Sequence, residues 1–221
     1  MKTLRLVLWV LVVVVAAATA GVYVGRMFLT PEENAPGGLT AAFTHAKYPD
    51  AGGDFSLLDP DGNTVTAEDL RGKPYATFFG FTHCPDVCPT TLFDASGWLD
   101  ALGPDADKIK IVFVSVDPER DTPEILGQYV SAFDERILGL TAHDDAEIRE
   151  IADRYKIRYE KVPLQNGDYT MNHTADILLF DKDGDYAGFI PYMPPNVRQN
   201  EKIAQKETTR VVDQLRKLID S

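Results

Sequence analysis

The stretch FGFTHCPDVCP, residues 79–89, holds both cysteines of this 221-residue chain, and a proline follows each of them. An apolar run from Tyr75 to Phe81 leads into Cys84, and an amphipathic run from Thr90 to Leu102 follows Cys88. This order predicts a buried strand, an exposed loop and the N-terminus of a helix. Because a helix N-terminus carries unpaired N–H groups and a partial positive charge, we expect it to lower the pKa of a nearby thiol.

Composition indicates an ordinary globular protein and argues against nucleic acid as a partner. The chain is 44% hydrophobic and 25% charged, with a formal net charge of -12. The first thirty residues carry Lys2, Arg5 and Arg26 and no acids, so the remainder has 19 basic and 34 acidic residues. Such an excess of negative charge repels nucleic acid. Two cysteines in one motif also exclude a multi-disulfide scaffold and indicate one functional pair.

The N-terminal segment predicts a membrane anchor. Residues 6–24 carry no charge and are numerous enough to cross a bilayer, whereas the apolar core of a signal peptide is typically about 7–15 residues. Small residues at 16–21 leave cleavage open, and we expect residues 1–30 to stay as an uncleaved signal-anchor. Because Lys2 and Arg5 precede the span, the positive-inside rule places the domain outside the cytoplasm. The sequence thus predicts a single-pass inner-membrane protein whose domain faces the periplasm, or the mitochondrial intermembrane space.

The remainder divides into a linker and one globular domain. Residues 31–52 are rich in Pro, Gly and Ala and predict a linker, and residues 53–221 predict the domain. The predicted elements are hairpins within 55–66 and 174–190, strands at 75–81, 108–116 and 138–141, and helices at 90–102, 122–133, 144–155 and 196–219. Strands that alternate with helices predict a mostly parallel sheet, to which the second hairpin adds an antiparallel edge. With a dithiol after a central strand, this is a thioredoxin-like α/β fold with an extra N-terminal hairpin.

The spacing of the cysteines leaves both redox and metal chemistry open. A thioredoxin-type redox pair has two residues between its cysteines, whereas three separate Cys84 from Cys88. Thioredoxins also carry a proline before the strand that faces the thiols, and the equivalent position here is His173. The fold is therefore expected to place an imidazole opposite two thiols. Two sulfurs and one nitrogen suit Cu(I) in a trigonal site, or Cu(II) with a further weak ligand. Zinc would normally require a fourth strong ligand.

Five other residues near these motifs have side chains that could bind a metal ion or a partner. His83 adjoins Cys84 and is either a surface residue or an influence on the thiol pKa. We expect His143 to belong to a helix cap and Met171 to pack in the core. Asp117 and Asp121 flank a loop before a predicted helix and are interpreted as structural, with a partner surface as the alternative.

Three stretches together resemble the SCO/SenC copper chaperones of cytochrome c oxidase assembly. They are GFTHCPDVCPT at 80–90, VDPERDTP at 116–123, and His173-Thr174 before a strand that ends in DKDG at 181–184. The resemblance covers roughly residues 50 to 220. It implies a thioredoxin-like fold and one copper ion per chain, as Cu(I) or Cu(II), bound by Cys84, Cys88 and His173.

The same resemblance implies a biological role. The protein would deliver copper to, or reduce the cysteines of, the binuclear copper site in cytochrome c oxidase subunit II. Another copper chaperone or a thiol reductant would be a further partner. Many members have Asp before the ligand histidine, where this chain has Asn172, so the resemblance implies no carboxylate at that place. A periplasmic thiol–disulfide oxidoreductase and a redox or copper sensor remain alternatives.

Overall fold

The structure is a computed structural model, and it describes residues 47–221. Its strands are β1 (Ser56–Leu58), β2 (Thr64–Thr66), β3 (Tyr75–Gly80), β4 (Lys110–Ser115), β5 (Ile137–Leu140), β6 (Tyr159–Pro163), β7 (Tyr169–His173), β8 (Ile177–Phe180) and β9 (Tyr186–Ile190). Its helices are α1 (Ala67–Leu70), α2 (Val87–Leu102), α3 (Pro123–Ser131), α4 (Asp145–Arg154), α5 (Pro195–Arg198) and α6 (Glu201–Ile219), and a 3-10 helix spans Gly103–Lys108.

A five-stranded sheet in the order β5-β4-β3-β8-β9 forms the centre of the domain. β3 pairs parallel with β4, and β4 pairs parallel with β5, as expected where a helix connects consecutive strands. β8 runs antiparallel to β3, and β9 runs antiparallel to β8. The predicted α/β class is therefore confirmed, including the antiparallel pair that a hairpin adds to one edge.

β3 is the central strand and carries the chain into the cysteine motif. All six of its residues are buried, which explains why apolar and polar side chains do not alternate in this run. The Tyr75 ring stacks on the Phe180 ring of the neighbouring strand with centroids 4.7 Å apart. On α2, which follows the motif, Leu92, Trp98 and Leu99 are buried against the sheet. Burying each such side chain contributes about 1.5–3 kcal/mol, so both elements around the cysteines are firmly held.

The helix that follows the cysteines begins earlier than predicted. α2 starts at Val87 rather than at Thr90, so Cys88 lies inside its first turn. Pro89 also falls in this first turn, where the N–H that proline lacks would have no helical partner. The start of α3 is as predicted: the Thr122 side chain accepts a hydrogen bond from the Ile125 N–H at 3.4 Å, and Pro123 is the first helical residue.

The hairpin formed by β6 and β7 is absent from the sequence prediction, which assigned no element to residues 156–173. These strands pair antiparallel with each other in a sheet of their own. The strand predicted from Thr174 begins only at Ile177, and His173 ends β7 instead of preceding β8 directly. An Asn-Gly pair at 166–167 between two runs with alternating apolar residues is a hairpin signal that could have revealed it.

The anchor predicted at residues 1–30 lies outside the described residues and stays a prediction. Between residues 47 and 221, no helix is both long and apolar enough to cross a bilayer. Tyr48 and Ala51, in the segment predicted as linker, are buried in the core of the domain.

Candidate metal centre

The side chains of Cys84, Cys88 and His173 meet beyond the carboxyl end of β3. One donor atom from each lies within 4.8 Å of the other two, and Cys88 Sγ is 3.5 Å from His173 Nε2. Within residues 47–221, no other group of three or more His, Cys, Asp or Glu side chains brings its donor atoms together in this way. The structure thus assembles the three residues singled out in the sequence, and their role as copper ligands stays a prediction.

The turn between β3 and α2 positions the two sulfurs. Cys84 lies in the loop, where its N–H donates to the Phe81 carbonyl at 3.3 Å. Cys88 is the second residue of α2, and an N–H at this position has no partner within the helix. It donates instead to Cys84 Sγ at 3.3 Å. The sulfur of the first cysteine therefore accepts a hydrogen bond from the helix N-terminus, while Pro85 and Asp86 turn the chain between the two thiols.

The two thiols differ in protonation because their surroundings differ. A hydrogen bond from Cys88 lowers the pKa of Cys84 to about 4, and His173 and the backbone N–H groups at the helix start act in the same direction. Burial raises the pKa of Cys88 well above its usual value, and the adjacent Cys84 adds to this effect. Cys84 is half-buried, whereas Cys88 is fully buried. At neutral pH the pair is thus one reactive thiolate and one thiol, and a metal ion must displace the proton of Cys88.

His173 presents its Nε2 atom to the sulfurs because its other ring nitrogen is occupied. The Nδ1 atom lies 2.9 Å from the Thr174 carbonyl oxygen, which can only accept, so Nδ1 carries a proton and donates. Such a hydrogen bond fixes both the tautomer and the ring orientation of a ligating histidine. Two aromatic rings enclose the imidazole edge-on, with centroid distances of 5.9 Å for Phe78 and 5.8 Å for Phe81. The site therefore has an apolar wall and a preset nitrogen donor.

The donor set fits a soft metal ion. Bonds of about 2.0–2.3 Å from a first-row metal ion to nitrogen and sulfur would place the donors about 3.7–4.0 Å apart in a planar trigonal site. The observed separations, 3.5 Å for one pair and at most 4.8 Å for the others, require only small adjustments. Thiolate and imidazole ligands suit copper and zinc, and a set of three such donors without a fourth is less typical of zinc.

Gly80, the last residue of β3, has no side chain, and the Cys88 sulfur lies in the space that a side chain would fill. A Cβ atom added there would lie 2.8 Å from Cys88 Sγ and 2.7 Å from the Phe113 ring. Both distances are shorter than side chains tolerate without displacement. The glycine at this position therefore allows the buried sulfur to pack directly against the strand.

The Asp-Pro-Glu-Arg-Asp-Thr-Pro segment, residues 117–123, hydrogen-bonds the cysteine loop, residues 81–86 between β3 and α2. Asp121 is fully buried, and its carboxylate accepts hydrogen bonds from the Thr82 N–H at 3.0 Å and the Thr82 hydroxyl at 2.6 Å. It also accepts one from the Ser115 hydroxyl at 2.6 Å. Burial raises the pKa of this carboxyl, and the three hydrogen bonds oppose that change. The structural interpretation of Asp121 is therefore supported, and its contact with the cysteine loop is what the sequence alone did not reveal.

The remaining singled-out residues lie apart from the three donors. His83 is exposed and hydrogen-bonds the Thr82 hydroxyl at 3.0 Å. His143 precedes α4, and its Nδ1 atom lies 3.0 Å from the Glu147 carboxylate, as expected of a residue near a helix cap. Met171 is buried in the core, as predicted. The residues that sequence reasoning missed are Phe78, Phe81 and Thr174, which surround the imidazole, because their roles depend on the tertiary position of His173.

Fold and site together define a class: a thioredoxin-type α/β domain whose paired cysteines face a histidine across the end of the central strand. The chain belongs to the SCO1/SenC family, whose sequence profile matches residues 44–208. It is 37% identical over 137 residues to a SCO2-like protein of Rickettsia prowazekii, covering 61% of this chain and 66% of the relative. It is 40% identical over 140 residues to the mitochondrial SCO2 protein of Saccharomyces cerevisiae, covering 61% of this chain and 46% of that protein.

A solved structure supports the same assignment. The domain is similar to copper-bound ScoI of Bradyrhizobium japonicum, with a TM-score of 0.62 and 46% sequence identity, over 70% of this chain and 98% of that chain. The chain spans about two thirds of the Rickettsia relative and less than half of the yeast relative.

Proposed function

We propose that this protein binds one copper ion as cargo through Cys84, Cys88 and His173, and serves the assembly of cytochrome c oxidase. The observation that carries the proposal is the convergence of two sulfurs and one imidazole nitrogen within 4.8 Å, with the nitrogen tautomer already set by Thr174. The copper in the related Bradyrhizobium protein supports the choice of metal. The resemblance of the cysteine and Asp-Pro-Glu-Arg motifs to oxidase assembly factors supports the choice of pathway.

In this proposal the recipient is the binuclear copper site of oxidase subunit II. Copper would pass by exchange of one sulfur ligand at a time, beginning at Cys84, because its sulfur is the more exposed of the two. The segment at residues 1–30 would anchor the protein in the inner membrane with its domain in the periplasm or the equivalent mitochondrial space. Such an anchor raises the effective concentration of the domain near a membrane-embedded oxidase.

A thiol–disulfide exchange role is the second candidate, and the asymmetry of the two cysteines favours it. A half-exposed thiolate with its pKa lowered to about 4 beside a buried thiol is the arrangement of an attacking and a resolving cysteine. In that role Cys84 attacks a partner disulfide, a mixed disulfide forms, and Cys88 then displaces the partner thiol. The dithiol supplies the two electrons and is itself oxidised to the Cys84–Cys88 disulfide.

Copper titration of the full-length reduced protein tests the ligand set. We expect His173→Ala to lower Cu(II) affinity by at least about 10-fold and to remove the nitrogen signal from the electron paramagnetic resonance spectrum. His143→Ala is the matched control and should behave as the unsubstituted protein, since His143 is exposed and pairs with Glu147. Unchanged affinity and spectrum in His173→Ala would exclude the histidine as a ligand.

The cellular role is tested in a strain that carries Cys84→Ser. We expect the copper content of oxidase subunit II and the oxidase activity to fall to the level of a deletion strain. Normal copper content in this strain would contradict the assembly role. Rapid reduction of a test disulfide by a protein that takes up no copper would instead favour the exchange role.

A further inference from the structure

The strand that carries His173 belongs to a hairpin that makes no ladder hydrogen bonds with the central sheet. Among the described residues, β6 and β7 pair only with each other. The cysteines, in contrast, follow the central strand directly. Apart from the short connection to β8, which begins at Ile177, side-chain contacts of the hairpin are therefore what sets the position of His173 relative to the two sulfurs.

Tyr169 lies four residues before His173 and shares its face of β7. Successive strand residues point to opposite faces, so Tyr169, Met171 and His173 face the domain together, and Met171 is buried there. The Tyr169 ring lies between two cations: its centroid is 3.7 Å from Arg120 Cζ and 3.8 Å from Lys161 Nζ. The Tyr169 hydroxyl donates to the buried Asp117 carboxylate at 2.8 Å. We name Tyr169, Arg120, Lys161 and Asp117 the Tyr169 clamp.

Arg120 connects this clamp to the surroundings of His173. Its Nε atom donates to Asp117 at 2.6 Å, and its Nη1 atom donates to the Tyr169 carbonyl at 2.9 Å. Its guanidinium carbon also lies 6.0 Å from the centre of the Phe81 ring, which stands perpendicular to the His173 imidazole. The side chain is only 15% exposed. Arg120 thus contacts the backbone of the histidine strand and the ring that faces the histidine.

Resting on the function proposed above, we propose that Arg120 and Tyr169 are positioning residues that hold His173 Nε2 at ligand distance from the two sulfurs. The role requires arginine, because only a planar guanidinium can stack on an aromatic ring while it donates in two directions. A lysine keeps the charge and loses this geometry. The clamp touches no donor atom of the metal site, and its effect on copper passes through His173 alone.

Arg120→Lys in the full-length protein tests the proposal. We expect about a 10-fold loss of Cu(II) affinity, the scale of substitutions that misorient a metal ligand, together with a resonance spectrum shifted toward that of His173→Ala. Arg136→Lys is the matched control, because Arg136 pairs with two carboxylates, Asp100 and Asp134, as Arg120 pairs with Asp117 and Asp168. Its copper affinity should change by less than about twofold.

A double substitution separates positioning from a general effect on stability. In the His173→Ala background, Arg120→Lys should cause no further loss of Cu(II) affinity, since the residue through which it acts is gone. An equal loss in both backgrounds would overturn the proposal, as would an unchanged affinity and spectrum in Arg120→Lys alone. If Arg120→Lys fails to fold, Tyr169→Leu removes the stacked ring and carries the same expectations.

A measurement without copper keeps this proposal distinct from the proposed function. In the reduced, metal-free protein, Arg120→Lys should shift or broaden the nuclear magnetic resonance signals of the His173 ring and leave those of exposed His143 unchanged. Unchanged His173 signals would overturn the positioning role even if the protein binds copper. Shifted signals in a protein that binds no copper at these residues would sustain the positioning role and reject the copper function.

Discussion

The two sulfur donors and the nitrogen donor of the centre are held in different ways. Cys84 and Cys88 lie on one short segment between β3 and α2, elements buried in the central sheet and against it. His173 is 85 residues further along the chain than Cys88 and ends a hairpin outside that sheet. Backbone structure fixes the thiols, whereas side-chain contacts fix the imidazole.

This difference divides the centre into a more firmly held part and a less firmly held part. A hydrogen bond at the helix start and buried packing hold the two sulfurs next to the central strand. The histidine hairpin depends on a few contacts, and elements with fewer buried contacts open more readily than a core strand. The imidazole tautomer is set by Thr174, so what can adjust is the position of the hairpin that carries His173, whereas the sulfur pair lies next to the central strand.

The largest expected effect is a difference in reactivity within the sulfur pair. In the reduced, metal-free protein at pH 5, we expect iodoacetamide to alkylate Cys84 about 100-fold faster than Cys88, even after allowing for the weaker nucleophilicity of a low-pKa thiolate. The pKa of Cys84 is lowered to about 4, so its alkylation should persist as the pH falls from 7 and be lost only as the pH passes through about 4. Mass spectrometry of digested samples between pH 3 and 9 measures both rates.

The control for this prediction is Cys84→Ser, in which Cys88 alone remains and should stay nearly unreactive below pH 7. If the alkylation rate of Cys84 already falls between pH 9 and 8, as for an ordinary thiol, the lowered pKa of Cys84 is contradicted. Fast labelling of the buried Cys88 would contradict the predicted difference as well.

A second prediction tests how rigid the sulfur half is. Gly80→Ala places a methyl group 2.8 Å from Cys88 Sγ, so we expect the free energy of unfolding to fall by about 1–3 kcal/mol and copper affinity to fall with it. Gly97→Ala is the matched control: this exposed glycine of α2 has nothing within 4 Å of an added Cβ. It should raise stability by about 0.5–1 kcal/mol, because alanine favours the helix. Urea denaturation measures the free energy of unfolding of both variants. Equal values would show that β3 and Cys88 shift to make room for the added methyl group.

The smallest expected effect concerns the outer face of the histidine hairpin. Asn172 points away from His173, lies opposite Glu160 on β6, and donates to its carboxylate at 3.3 Å. Asn172→Asp places two like charges across the strands and should lower stability by about 0.2–1 kcal/mol, with copper affinity changed by less than twofold. Adding Glu160→Gln should restore the stability. A large change in copper affinity would show instead that the residue before the histidine acts on the metal site.

Local sequence patterns were sufficient to predict most of the fold. The unbroken apolar run of β3 indicated a strand buried on both faces, and Thr122-Pro123 marked the start of α3. Such signals depend on neighbours within a few residues, which is why these elements agree with the structure. The β6–β7 hairpin was missed although an Asn-Gly pair and some apolar alternation mark it, because its strands are short and largely exposed and this signal is weak.

The amino-acid sequence alone supplies the donor groups of the centre: two cysteines with three residues between them at the start of a helix, and a histidine near a later strand. Which of their atoms meet, and which contacts hold them, depends on how the whole chain folds. Long-range packing places His173 Nε2 3.5 Å from Cys88 Sγ, brings Asp121 onto the cysteine loop, and sets Arg120 against Tyr169. These contacts join residues that lie about 40 to 85 positions apart, and no local pattern encodes them, because they form only when the sheet brings the segments together.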